Sequence, residues 1–166
     1  HPDKCKHVHI GKKRKEATYK LVGKEVNKSS KEKDIGVIID ENLDFDEHIS
    51  AKIKKANSTF AIIRRSFMFL NEENFKPLFK SLVRTHLEYA NSVWAPHKVK
   101  DIERIESVQR RATKQIPGFS NLSYSDRLRR LKLPTLAFRR LRGDMIETYK
   151  FIHGFYDPNT KQIIKM

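Results

Sequence analysis

The spacing of apolar residues changes near residue 45, and this change constrains the fold more than any other feature of the sequence. Before it, apolar residues alternate with polar ones in short runs, which is typical of β-strands. After it, they recur at steps of three and four residues, which is typical of amphipathic helices. The sequence therefore predicts a mainly α fold: a helical bundle at 44–156, preceded at 1–43 by a small antiparallel β-hairpin or three-stranded sheet and followed at 157–166 by a frayed tail.

The N-terminal region contains three short runs with the composition of strands. They lie at residues 6–10, 18–22 and 34–40, and glycines follow the first two. The intervening segment 24–33 is almost entirely polar, so we expect it to form a loop. A sheet of two or three strands is too small to be stable alone, so it must pack on another part of the structure.

Capping residues and helix breakers divide the C-terminal region into helices. Side-chain oxygens of Asp, Asn, Ser and Thr accept the free N–H groups of a first turn, and proline ends a helix that precedes it. The predicted caps and stops are, in chain order, Asp44 or Asp46, Asn71, Pro96, Pro117 with Gly118, Ser123 and Thr135. Four aromatic residues on apolar helix faces are assigned to the core rather than to base stacking. They are Phe60, Phe67, Phe75 and Phe79.

Positive charge is concentrated in two blocks on either side of a nearly neutral middle. Residues 1–33 carry 11 Lys/Arg and 4 Asp/Glu, residues 98–150 carry 14 and 6, and residues 34–97 carry 8 and 9. The formal net charge of the chain is +15. This balance favours nucleic acid as the partner, because binding releases the counterions condensed on a polyanion. The alternative is a basic protein whose charge serves only solubility.

Features outside the basic blocks exclude several classes of protein. The single cysteine, Cys5, allows no disulfide within the chain and argues against a zinc cluster. A reducing, intracellular compartment is therefore expected, with nucleus and cytoplasm not distinguished. No apolar run approaches the length of a membrane span, so we expect no membrane partner. The sequence begins at His1 rather than at methionine, and we expect it to be part of a longer product.

Arginine doublets on the predicted helices are the candidate nucleic-acid contacts. Neighbouring helix residues point roughly 100° apart, so a doublet spreads across the polar side of its helix, and each guanidinium matches the oxygens of a phosphate. The candidates are Arg64, Arg65, Arg110, Arg111, Lys114, Arg129, Arg130, Arg139, Arg140 and Arg142. The alternative is a solvated face on which arginines pair with acids three or four residues away. These acids are Glu103, Glu106, Asp144 and Glu147.

No catalytic constellation or complete metal site is visible in the sequence. It lacks a nucleophile elbow, a phosphate-binding loop and an H-E-x-x-H motif. His7 and His9 alternate on one predicted strand face, and such a pair can ligate a metal, but no further ligand follows at a suitable spacing. Two ordinary histidines are therefore the favoured interpretation, and the sequence predicts neither catalytic nor metal-binding residues.

Several segments resemble the region that follows the catalytic strands in reverse transcriptases of non-LTR retrotransposons, the jockey-like LINE elements. PDKCKHVHIG at 2–11 resembles the end of the palm domain, and KDIGVIIDENLDFDEHI at 33–49 resembles the primer-grip hairpin. Three further motifs resemble the thumb and its adjoining helices. They are LFKSLVRTHLEYANSVWAPH, IERIESVQRRATKQIPG and YSDRLRRLKLPTLAFRRLRGDMIETYKFIHG. Together the motifs cover nearly all of residues 1–156 in the order of the family.

The resemblance implies an RNA-directed DNA polymerase of a mobile element, which uses two magnesium ions held by palm aspartates, typically in an Ala-Asp-Asp hairpin. No Ala-Asp-Asp sequence occurs here. The resemblance thus implies a C-terminal fragment, the end of the palm plus the thumb, that is inactive alone and has no cofactor of its own. Magnesium is expected only in the full-length polymerase. The implied partners are RNA or an RNA–DNA duplex, and the remaining palm and fingers.

Three further binding residues follow from the resemblance alone. Lys4 matches a motif lysine proposed to assist the departure of pyrophosphate. Gly36 and Val37 match the primer grip, where a small residue lets the backbone approach the primer end. Two other functions stay open on the sequence: a stand-alone basic helical protein that binds nucleic acid, and a protein-interaction module whose arginines pair with acids.

Overall fold

The computed structural model describes residues 2–11 and 17–156, so the predicted frayed tail at 157–166 lies outside the described residues. The described chain is mainly helical, with short strands before the helices, as the change in apolar spacing predicts. It divides into two compact units, His1–Ala51 and Lys52–Met166. Each unit is built around its own set of contacts.

The boundary between the units falls inside the first helix, between Ala51 and Lys52. The first turn of that helix is bonded to a strand of the N-terminal unit, because the backbone N–H of Ile38 donates to Nδ1 of His48 over 3.1 Å. The neighbouring Ile49 is buried as well. The helix start thus belongs to the N-terminal unit, which the apolar spacing of the helix does not reveal.

Short strands form three separate two-stranded sheets in the described part of the N-terminal unit, not the predicted single sheet. The strands are β1 (Lys6–His7), β2 (Lys20–Leu21), β3 (Lys24–Glu25), β4 (Asn27–Lys28), β5 (Lys31–Asp34) and β6 (Val37–Asp40). β1 and β4 pair in parallel, whereas β2 with β3 and β5 with β6 form antiparallel hairpins.

The segment 24–33, predicted to be a loop, contains β3, β4 and most of β5. That prediction was wrong for a physical reason. Most side chains of the segment are exposed, so its strands carry no alternation of buried and exposed positions. Such alternation is the sequence signal of a half-buried strand, and a strand exposed on both faces does not produce it.

A tight turn at Ile35 and Gly36 interrupts the predicted strand at 34–40. Asp34 pairs with Val37, so the hairpin of β5 and β6 has a two-residue loop. The φ angle is +41° at Ile35 and +81° at Gly36, the pattern of a type I′ turn. Glycine adopts this conformation without steric cost, but a β-branched residue does not. Ile35 therefore holds backbone strain at the tip of the hairpin.

Ile35→Asn is expected to raise the free energy of unfolding by about 1 kcal/mol, because asparagine tolerates the left-handed conformation. Ile35 is 80% exposed, so the substitution removes little packing. Urea unfolding followed by circular dichroism measures the change. Val22→Asn in the β2–β3 turn, where φ is +52°, should give a gain of the same sign, and a loss of stability at both turns would contradict this account.

Asp40 organises the loop that joins β6 to the first helix. Its carboxylate accepts the backbone N–H of Asn42 at 3.0 Å, of Asp44 at 3.1 Å and of Phe45 at 2.8 Å. Burial acts to raise the pKa of Asp40, but these donors outweigh it and hold the pKa below its ordinary value. The carboxylate thereby fixes the direction in which the chain enters the helix.

The helices begin at or next to the predicted caps. The side chains of Asn71, Ser123 and Thr135 each accept the backbone N–H three residues further on, at 2.9, 3.2 and 3.1 Å, so these three predicted caps are confirmed. The helices are α1 (Asp46–Ser66), α2 (Glu72–Leu78), α3 (Arg84–Glu88), α4 (Asn91–Trp94), α5 (Val99–Lys114), α6 (Tyr124–Leu131) and α7 (Leu136–Ile152).

The helix predicted to follow Asn71 is broken into pieces. α2 continues through a π-helical segment, Phe79–Val83, into α3, and the chain then leaves the helix at Tyr89 and Ala90. Ala90 has a φ of +53°. The indole N–H of Trp94 donates to the carbonyl of Tyr89 over 2.7 Å, which stabilises the break. No proline or glycine marks this position, so the sequence gives no local signal of it.

Aromatic side chains form much of the core of the C-terminal unit. Phe75 and Phe79 are fully buried with ring centroids 5.2 Å apart, and Phe60 meets Phe75 edge-on at 6.2 Å. The assignment of Phe75 and Phe79 to the core is confirmed, but Phe67 is exposed and that assignment was wrong. Other large buried side chains are Leu87, Trp94, Ile105, Phe119, Leu131 and Leu136.

The apolar face of α7 is largely open. Leu136 in its first turn is buried, but the later members of the same predicted face are not. Their exposed fractions run from 45% to 64%, and they are Leu141, Met145, Tyr149 and Ile152. Within the described residues, the ring of Tyr149 stacks on that of His153 at 3.9 Å, but all four side chains stay exposed.

Candidate nucleic-acid interface

Three of the predicted contact residues lie together where α1 runs beside α5. Nη1 of Arg64 donates to Oε1 of Gln115 over 3.2 Å, and Nη2 of Arg111 donates to Oδ1 of Asn57 over 3.4 Å. These two bonds join positions 51 and 54 residues apart in the sequence. Lys114 lies three residues after Arg111 and directly before Gln115. We call Arg64, Arg111 and Lys114 the α1–α5 strip.

No carboxylate among the described residues neutralises the α1–α5 strip. Arg64 is bonded to an amide oxygen, and Arg111 to an amide oxygen and, at 3.3 Å, to the backbone carbonyl of Ser107. Lys114 makes no side-chain bond within the described chain. All three side chains are exposed. The strip therefore presents three positive charges without a carboxylate partner among the described residues, two of them held by neutral groups, which suits the phosphates of a nucleic-acid backbone.

Three other candidates are exposed but paired with carboxylates. Arg110 pairs with Glu103 at 3.1 Å, Arg129 with Asp126 at 2.8 Å, and Arg130 with Glu72. The guanidinium of Arg130 also lies over the ring of Phe119, 4.8 Å from its centroid. Exposed ion pairs are weak, so these arginines can exchange partners, but their charge is offset where they stand. These three residues are thus paired and solvated, but only Arg129 has its partner at the spacing of three or four residues that the alternative interpretation assumed.

Arg139 is hydrogen-bonded to a residue of another helix, α3. Its Nε and Nη2 bond both carboxylate oxygens of Glu88, the latter at 3.0 Å. The hydrogen bond to Glu88 raises the pKa of Arg139 above its ordinary value. This bidentate pair ties α7 to α3, so the side chain is structural in this conformation.

Arg140 is not on the surface where the sequence places it. Only 6% of the residue is exposed, and both terminal nitrogens are buried without a hydrogen-bond partner among the described residues. Burial lowers the pKa of Arg140, and the surrounding carboxylates of Glu106, Glu88 and Asp144 oppose that effect. The expected position of Arg140 on the polar side of its helix was wrong, because α7 turns this member of the doublet inward and Arg139 toward Glu88.

Arg65 and Arg142 are exposed, and neither makes a side-chain bond within the described part of the chain. No hydrogen bond or ion pair within the described residues joins either side chain to the α1–α5 strip. Their charges add to the positive potential of the C-terminal unit without belonging to a defined arrangement.

The three residues taken from the family resemblance lie in the N-terminal unit. Lys4 is exposed at the end of a short 3-10 turn, Pro2–Lys4. Gly36 and Val37 adjoin each other in the β5–β6 hairpin. Only 4% of Val37 is exposed, so this residue offers almost no surface for contact.

Arg127 is a buried cation that is not among the predicted contact residues, because it does not belong to an arginine doublet. Its Nη1 donates to the carbonyl of Leu122 over 2.8 Å and its Nε to Oγ1 of Thr113 over 3.2 Å, at the C-terminal end of α5. The negative end of a helix dipole favours a cation at this place. Arg127 lies four residues before the buried Leu131, so helical spacing alone could have placed it on the inward face.

Glu106 joins three helices instead of pairing with an arginine. It accepts the hydroxyl of Tyr124 and the backbone N–H groups of Leu136 at 3.2 Å and Ala137 at 3.1 Å. Burial and then the hydrogen bond to Glu106 raise the pKa of Tyr124 well above its ordinary value. The carboxylate thus closes the N-terminus of α7 from a position on α5, where the helix dipole favours a negative charge.

The described residues contain no group of three or more His, Cys, Asp and Glu side chains that could hold a metal ion. Within the same residues, no helix combines the length and apolar character that crossing a membrane requires. Comparison with known proteins gives no match: no family model, no curated protein and no solved structure is similar to this chain.

Proposed function

We propose that this chain is the thumb and primer-grip part of an RNA-directed DNA polymerase of a non-LTR retrotransposon, and that it binds the template–primer duplex through the α1–α5 strip. The observation that carries the proposal is that Arg64, Arg111 and Lys114 are exposed near each other, and that no carboxylate among the described residues is bonded to any of them. Residues that served only solubility would have no reason to converge from two helices.

The chemistry of the strip supports contact with the backbone of a duplex rather than with its bases. Guanidinium and ammonium groups bind phosphate oxygens, which carry no sequence information. An enzyme that copies any template needs such sequence-independent contacts. The binding free energy would come largely from released counterions, so it would fall steeply with salt.

Exposed apolar surface supports the second partner in the proposal, the rest of the polymerase. The face of α7 around Met145 is open, and Met68 and Phe69 after α1 are 90% and 77% exposed. Large exposed apolar side chains of this kind mark interaction sites. In this proposal the chain supplies grip and orientation, while the aspartates that hold magnesium belong to another part of the polymerase.

The α1–α5 strip is tested by neutralising it. We expect Arg64→Gln/Arg111→Gln/Lys114→Gln to weaken binding to an RNA–DNA duplex by about 10- to 100-fold at low salt, because three phosphate contacts are lost. Fluorescence anisotropy with two duplexes of unrelated sequence measures the dissociation constants. Both duplexes should respond equally, since phosphate contacts do not read bases.

The matched control removes the same number of charges from the paired arginines, as Arg110→Gln/Arg129→Gln/Arg130→Gln. We expect it to keep most of the affinity. Equal losses in both variants would show that net charge alone drives binding, and no binding by the wild type would favour the protein-interaction module. A stand-alone nucleic-acid-binding protein would bind the duplex but lack an Ala-Asp-Asp hairpin in the reading frame upstream of His1.

A further inference from the structure

His7, His9 and Tyr19 form a compact cluster of rings in the N-terminal unit. The ring centroids of His7 and His9 are 4.9 Å apart, and the ring of Tyr19 stands edge-on to both, at 4.9 Å from His7 and 5.6 Å from His9. The two imidazoles are therefore close neighbours. None of these residues takes part in the grip on nucleic acid proposed above.

The Nε2 atoms of both histidines are buried and lack a hydrogen-bond partner among the described residues. The Nδ1 atom of His7 lies 3.0 Å from the carbonyl oxygen of Val26. A carbonyl only accepts, so Nδ1 carries the proton and Nε2 of the neutral ring carries a lone pair. A buried lone pair without a donor costs free energy unless something else binds it.

The described residues leave a cavity beside these rings. A cavity of about 300 Å³ is lined by both histidines together with Glu25, Val26 and other residues of the strands. Lys28 lines it as well, and its charge opposes a cation.

We propose that His7 and His9 bind one late first-row divalent ion, such as Zn²⁺, through their Nε2 atoms. Imidazole nitrogens suit zinc, copper and nickel, and not the oxygen-seeking magnesium and calcium. With a metal–nitrogen distance of about 2.0–2.1 Å, each ring centroid would lie about 3.2 Å from the ion. The observed 4.9 Å between the centroids is less than twice this distance, so one ion can lie within reach of both rings.

The hydrogen bond from His7 to Val26 adds a second argument. Histidines that bind metals usually donate their other ring N–H to a carbonyl or carboxylate, which fixes the tautomer and the ring orientation. His7 already has this partner at 3.0 Å. Two protein ligands leave open positions for water, so the site binds its ion reversibly and more weakly than a four-ligand structural zinc site.

Zinc titration of the complete chain tests the site, read by ¹H–¹⁵N NMR of the histidine side chains. The expected result is a metal-dependent shift of Nε2 in His7 and His9, while Nδ1 of His7 keeps its proton. His7→Gln and His9→Gln should each weaken zinc binding by about tenfold or more, since even an outer partner of a metal-bound histidine is worth this much. His97→Gln, at an exposed position, should leave it unchanged.

The wild-type spectra decide the question even if a variant fails to fold. Shifts confined to other histidines, or zinc affinity that both variants retain, would overturn the proposal and show adventitious binding only. The proposal would also be overturned if zinc left all imidazole nitrogens unchanged, because neither histidine would then bind the ion. Binding of the duplex is measured separately, so failure here leaves the grip on nucleic acid untouched.

Discussion

Glu106→Ala is expected to lower the free energy of unfolding of the C-terminal unit by about 3 kcal/mol or more. The substitution leaves the backbone N–H groups of Leu136 and Ala137 and the hydroxyl of Tyr124 without their acceptor. It also removes one of the carboxylates that surround the buried guanidinium of Arg140. Buried donors that lose their partner cost far more than an exposed pair, because water cannot replace the lost acceptor.

Glu103→Ala provides the matched control, since it removes the same carboxylate one helical turn earlier on α5. Glu103 is exposed and pairs with Arg110 at 3.1 Å, so the expected loss is below about 1 kcal/mol. Urea unfolding followed by circular dichroism compares the two variants. Glu106→Gln should fall between them, because its amide oxygen can still accept. Equal losses for Glu103 and Glu106 would contradict the assignment of Glu106 as the cap of α7.

Arg127→Ala is expected to destabilise the C-terminal unit by about 2–4 kcal/mol. The guanidinium bonds the carbonyl of Leu122 and the hydroxyl of Thr113, and it lies 5.6 Å from the ring centroid of Tyr124. Its removal opens a cavity and takes away the donor that bonds the carbonyl oxygen of Leu122. Arg127→Met keeps most of the stem, so it should recover part of the loss.

Arg129→Ala is the control for Arg127, because it is two residues away on the same helix and its side chain is 80% exposed. Its ion pair with Asp126 should contribute less than about 1 kcal/mol. Thermal unfolding of the three variants at one pH gives the comparison. If the loss at Arg127 is no larger than the loss at Arg129, the buried cation does not hold α6 against α5.

The sequence predicted correctly those helix starts that depend only on neighbouring residues. Asn71, Ser123 and Thr135 cap their helices because the side chain and the N–H that it accepts are three residues apart. The strands within 24–33 could not be found in this way, because they are exposed and lack alternation. The break at Ala90 is stabilised by the hydrogen bond from Trp94 to the carbonyl of Tyr89. The residue types around Ala90 do not predict this bond.

The candidate interface was predictable only as a set of basic residues on helices. Which arginine is free depends on partners distant in the sequence: Glu88 lies 51 residues from Arg139, and Gln115 lies 51 residues from Arg64. Neighbour spacing suggested pairs at three or four residues, yet Arg110 pairs with Glu103 seven residues away. The α1–α5 strip therefore emerges only once α1 and α5 are placed side by side.

The salt dependence of duplex binding tests the central claim most directly. The logarithm of the association constant is measured against the logarithm of salt concentration for the wild type and for Arg64→Gln/Arg111→Gln/Lys114→Gln. Each phosphate contact adds about 0.9 to the slope, so the account predicts a slope shallower by about 2–3 in the variant. Equal slopes in the two proteins would contradict it, because they would show that Arg64, Arg111 and Lys114 touch no phosphate.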